Sequence, residues 1–187
     1  MKKYEFTGEI KMYNDVKLRR IRALKTIINP YDNVIAKEGD LGGWIEKESN
    51  LSHEGSCWIY GDAIIYNNAK ISGNAEIFGN SRIYGNASVF GNARILDDAC
   101  VYDDACILDN TRVLQNAQIY GNTQIYNNAC IRGNAKIFGN AQIYENAHVY
   151  GDAYISGNTK VHGNVDIFGK ASIGGNTDIF INDFYKW

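Results

Sequence analysis

From Ile59 onward the chain repeats every six residues, and an unbroken period of six leaves few folds open to it. Ile or Val stands at 59, 65, 71 and every sixth position through Ile179, which is 21 positions without exception. Four residues after each comes a small residue. From Ala63 to Thr177 these 20 positions hold 14 Ala, four Thr, Ser81 and Val165. Three residues after each aliphatic comes Asn or Asp, at 20 of 21 positions from Asp62 to Asn182, with Lys170 the exception. The residue before that Asn is most often Gly. An extended chain turns alternate side chains to one side, so Ala63 and Ile65 face the same way. The Gly-Asn pair marks a bend, because Gly and Asn best tolerate positive φ. Six residues therefore make one short strand and one corner. Three such sides close a triangle, so one coil takes three periods and 21 sides make seven coils. At a strand spacing of about 4.8 Å the resulting prism is on the order of 34 Å long.

The repeat resembles the hexapeptide-repeat, left-handed parallel β-helix superfamily, over roughly the last two-thirds of the chain. The left hand comes with that resemblance; the period alone also admits a right-handed solenoid. The lead-in, Gly39-Asp40-Leu41-Gly42-Gly43-Trp44-Ile45-Glu46 through Asn50-Leu51-Ser52 to Gly55-Ser56-Cys57-Trp58-Ile59-Tyr60, resembles the bacterial YdcK-like group. Those β-helix proteins carry the label acyltransferase. The expected fold is all-β: a left-handed parallel β-helix of about seven 18-residue coils behind an N-terminal β-hairpin cap. The expected division is a capping region over 1–50, the repeat over 51–179 and an apolar C-terminal cap over 180–187.

Caps are needed because a solenoid's end coils expose strand edges and core. Residues 3–12 and 16–25 read as two strands around Tyr13-Asn14-Asp15, with Lys17, Arg19, Arg20 and Arg22 on a solvated face. Trp44 and Trp58 are expected to plug the first coil, and the tail from Phe180 to Trp187 to fold over the last.

Charge gives no strong pull toward nucleic acid or membrane, since the 187 residues carry a formal net charge of -2. Residues 1–50 hold 10 Lys/Arg against 8 Asp/Glu, and residues 51–187 hold 9 against 13, so neither part is a charged arm. The start of the chain has two lysines with no apolar run behind them, and no stretch of about 18 apolar residues occurs. The expected compartment is the cytosol, where the four thiols of Cys57, Cys100, Cys106 and Cys130 stay reduced. Without a CxxC pair, no structural zinc site is expected.

In this geometry, neighbours on one face stand three periods apart. One outer column reads Tyr66, Tyr84, Tyr102, Tyr120, Phe138; a second runs from Tyr60 and Phe78 to Tyr150 and Phe168; a third runs from Ser72 and Phe90 to His162 and Phe180. Stacking along such columns reinforces the coils at roughly 0.2–1 kcal/mol per cross-strand pair. Large apolar patches also mark contact surfaces. The column from Tyr66 to Phe138 is the best candidate for a partner or self-association face. Asp97, Asp103 and Asp109 fall on three different corners, forming a belt rather than a carboxylate pair. Cys130, His148 and Asp166 share a column, a thiol–imidazole–carboxylate line that is the weak candidate for a relay or metal site.

The resemblance implies an acyltransferase: a trimer holding acyl-CoA between prisms, with a histidine as base. Here no insertion breaks the repeat from 59 to 179 to wall a pocket, and His148 is the least poor base among His53, His148 and His162. His53 stands where the repeat, extended backward, would want an inward aliphatic. The favoured expectation is a non-catalytic scaffold or interaction protein, such as a phage-type inhibitor or structural module. It presents flat aromatic faces to a protein partner or to itself, as a homo-oligomer without a cofactor. The alternative is a hexapeptide-repeat acyltransferase using acetyl-CoA at a trimer interface.

Overall fold

The computed structural model describes residues 2–181. Two-residue strands alternate with tight corners from Trp58–Ile59 to Ser172–Ile173, except for the four-residue Lys160–Gly163, and the last described strand is Asp178–Ile181. Each side pairs in parallel with the third side after it, as Ile83 with Val101 and Val101 with Ile119. Each coil donates its N–H groups to the carbonyls of the next, for example Tyr102 to Ile119 at 3.0 Å. The result is a three-faced parallel β-solenoid. The first face contains Ile64–Ile65 and every third side after it, the second begins at Lys70–Ile71 and the third at Trp58–Ile59. The aliphatics and alanines fill the interior: Ile65, Ile83, Val101, Ile119, Ile137 and Ile155 form one fully buried row. Thr111, Thr123 and Thr159 are buried too, each donating its hydroxyl to the carbonyl three residues back at 2.6–2.7 Å.

The corners carry the second half of the design. The residue after each outer aromatic or aliphatic takes a positive φ, usually as Gly. At Asn67, Asp97, Asp103, Asp109, Gln115, Asn127 and Glu145 a non-glycine residue does so, and the last six of these share one device. Each of these six accepts, through its side-chain oxygen, the N–H of the matching corner one coil on, at 2.7–3.3 Å. The next residue builds ladders. Asn74, Asn92, Asn110, Asn128, Asn146 and Asn164 pass amide hydrogen bonds along one edge at 2.9–3.2 Å. The aspartate belt is therefore a set of corner clamps.

Before the repeat come β1 (Tyr4–Tyr13), β2 (Val16–Ala23), β3 (Ile27–Ile28), β4 (Val34–Ala36) and β5 (Leu41–Ile45). Asn14 and Asp15, both at positive φ, close the β1–β2 hairpin, as the central residues of a two-residue turn must. The parallel stack starts earlier than expected. β5 pairs with Ile64–Ile65, so the first face has eight parallel tiers, and Leu51 bridges to Ile71. The solenoid has about eight turns rather than seven. Leu51, fully buried, is the inward aliphatic of that early side, and the chain takes two residues more than the period before reaching Ile59. His53 sits in this insertion and is not an inward repeat position. The hairpin joins the first face as its outermost strands, antiparallel to β5, and its tip lies over the outside of that face. Trp44 accordingly belongs to an outer cluster with Leu18, Ile64 and Tyr66 beneath the hairpin and does not plug the coil, whereas Trp58 is buried with the main core. From residue 182 on, the expected C-terminal cap lies outside the described residues.

The corner chemistry makes a graded prediction. A Cβ on Gly91, at φ +73, would come within 2.7 Å of the Asp109 backbone nitrogen. Gly91→Ala should cost at least ~1–2 kcal/mol, the left-handed penalty, in chemical denaturation. Gly91→Asn should cost less, because its carbonyl oxygen can accept that N–H as Asn127 does for Glu145. Equal losses would show that the side-chain clamp contributes nothing.

Candidate functional site

The three faces and the cap hold the side chains able to recognise or react. On the first face, Tyr66, Tyr84, Tyr102, Tyr120 and Phe138 stack with centroids 4.8–4.9 Å apart and planes within 10°. Register alone causes this, since side chains three periods apart repeat at the strand spacing. Tyr154 closes the row edge-on against Phe138. The upper end is not free. Tyr13 of the hairpin packs edge-on against Tyr66 at 5.9 Å, leaving Tyr66 only 7% exposed, and the Tyr13 hydroxyl accepts from Arg82 Nη1 at 3.1 Å. The open part of the candidate face thus begins at Tyr84, where Tyr13, Arg82, Cys100 and Tyr102 border a shallow groove. Ring faces in the row cover one another, so they offer edges and hydroxyls to a partner.

Burial holds these phenols neutral. Tyr66 is pushed up to about 12 by burial, with a lesser push from Tyr13; Tyr102 is pushed to about 12 by burial, with a lesser push from Tyr120. Burial likewise raises Tyr84.

The second face carries the third outer column, and its lower half is a stacked row. Tyr126 stacks on Tyr144, Tyr144 on His162 and His162 on Phe180, at 4.6–4.8 Å. His162 Nε2 lies 3.0 Å from Asp178 Oδ1. That dyad escapes a search along columns because its members are 16 apart, on adjoining columns of successive coils.

On the third face the Cys130–His148–Asp166 line exists as read: Cys130 pairs with His148 and His148 with Asp166 in successive strands. His148 Nδ1 is 3.4 Å from Asp166 Oδ1, with both side chains about half exposed. Burial pushes the Cys130 thiol up, against the opposing pull of Arg112 and Arg132, so it stays a thiol rather than a thiolate nucleophile. No three His, Cys, Asp or Glu among the described residues converge as metal ligands. Arg94 reaches Glu76 at 3.5 Å and caps Phe78, and Arg132 lies over Tyr150 at 4.6 Å.

His53 is a part of the cap. Its Nδ1 accepts the Lys3 backbone N–H at 3.1 Å, so neutral His53 carries its proton on Nε2 and donates it to Glu48 at 2.9 Å. Its ring stacks on Tyr4 at 4.3 Å. Lys3, fully buried, donates from Nζ to the Cys57 carbonyl at 2.8 Å and touches its Sγ at 3.2 Å. Lys3 and His53 together close the irregular first turn.

One pattern escapes the columns. From 59 to 180 the faces hold seven bases (Lys70, Arg82, Arg94, Arg112, Arg132, Lys136, Lys160) and three acids, while the corners hold eight acids and Lys170. A net charge near zero hides this segregation; sorting charges by position within the period reveals it.

No family model matches the chain. A stretch of 68 residues is 38% identical to a protein of Escherichia coli (strain K12) named "Uncharacterized acetyltransferase YdcK". It covers 32% of this chain and 19% of that protein, so the chain spans well under two thirds of the relative. The likeness fits a hexapeptide-repeat fold. Among the described residues no helix is long and apolar enough to cross a membrane.

The buried phenols predict an alkaline transition. A phenol whose folded value exceeds its free value of about 10 stabilises fully below that value and loses the contribution as pH rises through its folded one. For Tyr66 and Tyr102 the loss falls between about 10 and about 12. Phenolate absorbance should rise in two stages, the later one together with unfolding. One uniform stage at the free-phenol value would contradict the buried row.

Proposed function

We propose that the protein is a non-catalytic scaffold that presents flat, aromatic and basic faces to an acidic protein partner or to further copies of itself. The observation that carries this reading is the unbroken run of coils. Between 59 and 179 no inserted loop builds a pocket wall, and the polar side chains stand in straight rows. Aromatic and arginine side chains are those that contribute most at protein interfaces. Four free thiols suit work in a reducing cytosol.

A second reading is supported by the name of the relative and by the His148–Asp166 pair. In it the chain is a CoA-dependent acyltransferase whose site forms between protomers, with His148 as base and Asp166 orienting it. That reading requires a cleft that a single prism lacks, so an oligomer is its precondition.

Size-exclusion light scattering with an acetyl-CoA titration separates the two. The scaffold reading expects no saturable acetyl-CoA binding and a partner interaction weakened at least roughly tenfold by Tyr102→Asp, as loss of a central interface aromatic requires. Saturable binding abolished in His148→Ala would replace it with the transferase.

A further inference from the structure

We propose that the outer edge of β1 is a self-pairing surface, on which a second copy of this chain adds its own β1 antiparallel about a two-fold axis through Ile10. β1 is the last strand of the ten-stranded sheet, so one of its edges has no partner strand among the described residues. That strand leaves large apolar side chains in solvent: Ile10 is 55% and Met12 63% exposed. The hairpin covers the start of the parallel stack on the first face, while the outer edge of β1 itself is covered by no described strand.

The sequence around Ile10 is self-complementary in the antiparallel sense. With Ile10 opposite its own symmetry mate, Glu9 stands opposite the partner's Lys11, and Lys11 opposite the partner's Glu9. Two opposite-charge pairs form for one two-fold axis. Met12 falls opposite the partner's Gly8, which stands at φ +92 within the bulge of β1 between Phe6 and Ile10 and has nothing within 4 Å of where a Cβ would sit, so the methionine finds room there. Within the chain Glu9 has a 3.5 Å contact to Arg20, and Lys11 lies 5.5 Å from the Trp44 ring, so neither charge is locked in a tight pair. A lysine and a bulge on an edge strand ordinarily discourage strand addition. Here the lysine is matched by an acid two residues away, so the edge rejects generic strands and accepts its own copy. Pairing here leaves the solenoid faces open and displays them twice, so this inference is independent of the scaffold reading.

The test is a charge swap read by light scattering at micromolar concentration. The native chain is expected to be a dimer. Glu9→Lys and Lys11→Glu should each weaken it roughly tenfold or more, because each puts two like-charge pairs across the axis. Mixing the two single variants should restore a heterodimer, and Glu9→Lys/Lys11→Glu in one chain should restore the homodimer. Circular dichroism and thermal midpoints check that every variant folds. Because restoration depends on complementary charge alone, a merely misfolded variant cannot mimic it. A monomeric native chain, or a dimer indifferent to all four arrangements, overturns the proposal. Tyr102→Asp, which leaves β1 intact, should not change this dimer.

Discussion

Everything in this molecule depends on the corner that returns the chain to the same place every third side. A strand of two residues cannot hold itself. What holds it is the parallel bond to the coil below and above, and that bond exists only if each turn closes to the same length. The left-handed corner residue does the closing. Glycine reaches that conformation without a Cβ penalty. The six clamped exceptions show a second solution, in which the strain of a side chain at positive φ is offset by a hydrogen bond to the next coil. The amide ladders then tie corner to corner outside while aliphatics tie coil to coil inside. Register errors are disfavoured from both directions.

Regular corners explain how much was legible in the sequence. Where every turn is the same, one side predicts all others, so the order of strands, core rows and outer columns could be read from Ile59 to Ile179, though not how deeply Tyr66 and Cys100 are buried beside the hairpin. Legibility failed where the period did. Two extra residues between Leu51 and Ile59 shift the backward extension, so that His53 takes the apparent place of an inward aliphatic and the real one, Leu51, is passed over. The hairpin was readable from Asn14-Asp15, but its placement over Trp44 and Tyr66 was not, because that depends on tertiary contacts with no local signal. In the candidate site the straight rows were legible and the diagonals were not. His162–Asp178 and Tyr60–Glu76 are both 16 apart, and a second spacing rule is needed to find them.

The sorting of charge follows from the same geometry. A side chain on a flat face has neighbours above and below at the strand spacing, so like charges there repel and aromatics gain by stacking. Basic residues can tolerate the face by lying over rings, as Arg94 and Arg132 do. A corner carboxylate instead finds an exposed backbone N–H one coil on, and Asp97, Asp103 and Asp109 use it. Acids at corners and bases on faces are thus partly a structural outcome. The functional consequence is a body whose flat surfaces are cationic and aromatic although its net charge is slightly negative.

A solenoid without loops has only its faces and its ends to act with. The faces change little from coil to coil, which suits a broad contact and gives little selectivity along the axis. The N-terminal end is where identity is concentrated. It holds the longest strands among the described residues, the irregular turn closed by Lys3 and His53, and an edge whose apolar and charged residues are specific to it. In β proteins such an edge normally serves to refuse partners. A glutamate and a lysine flanking Ile10 refuse most strands equally well and admit one, because only a chain read in the reverse direction offers the complementary order.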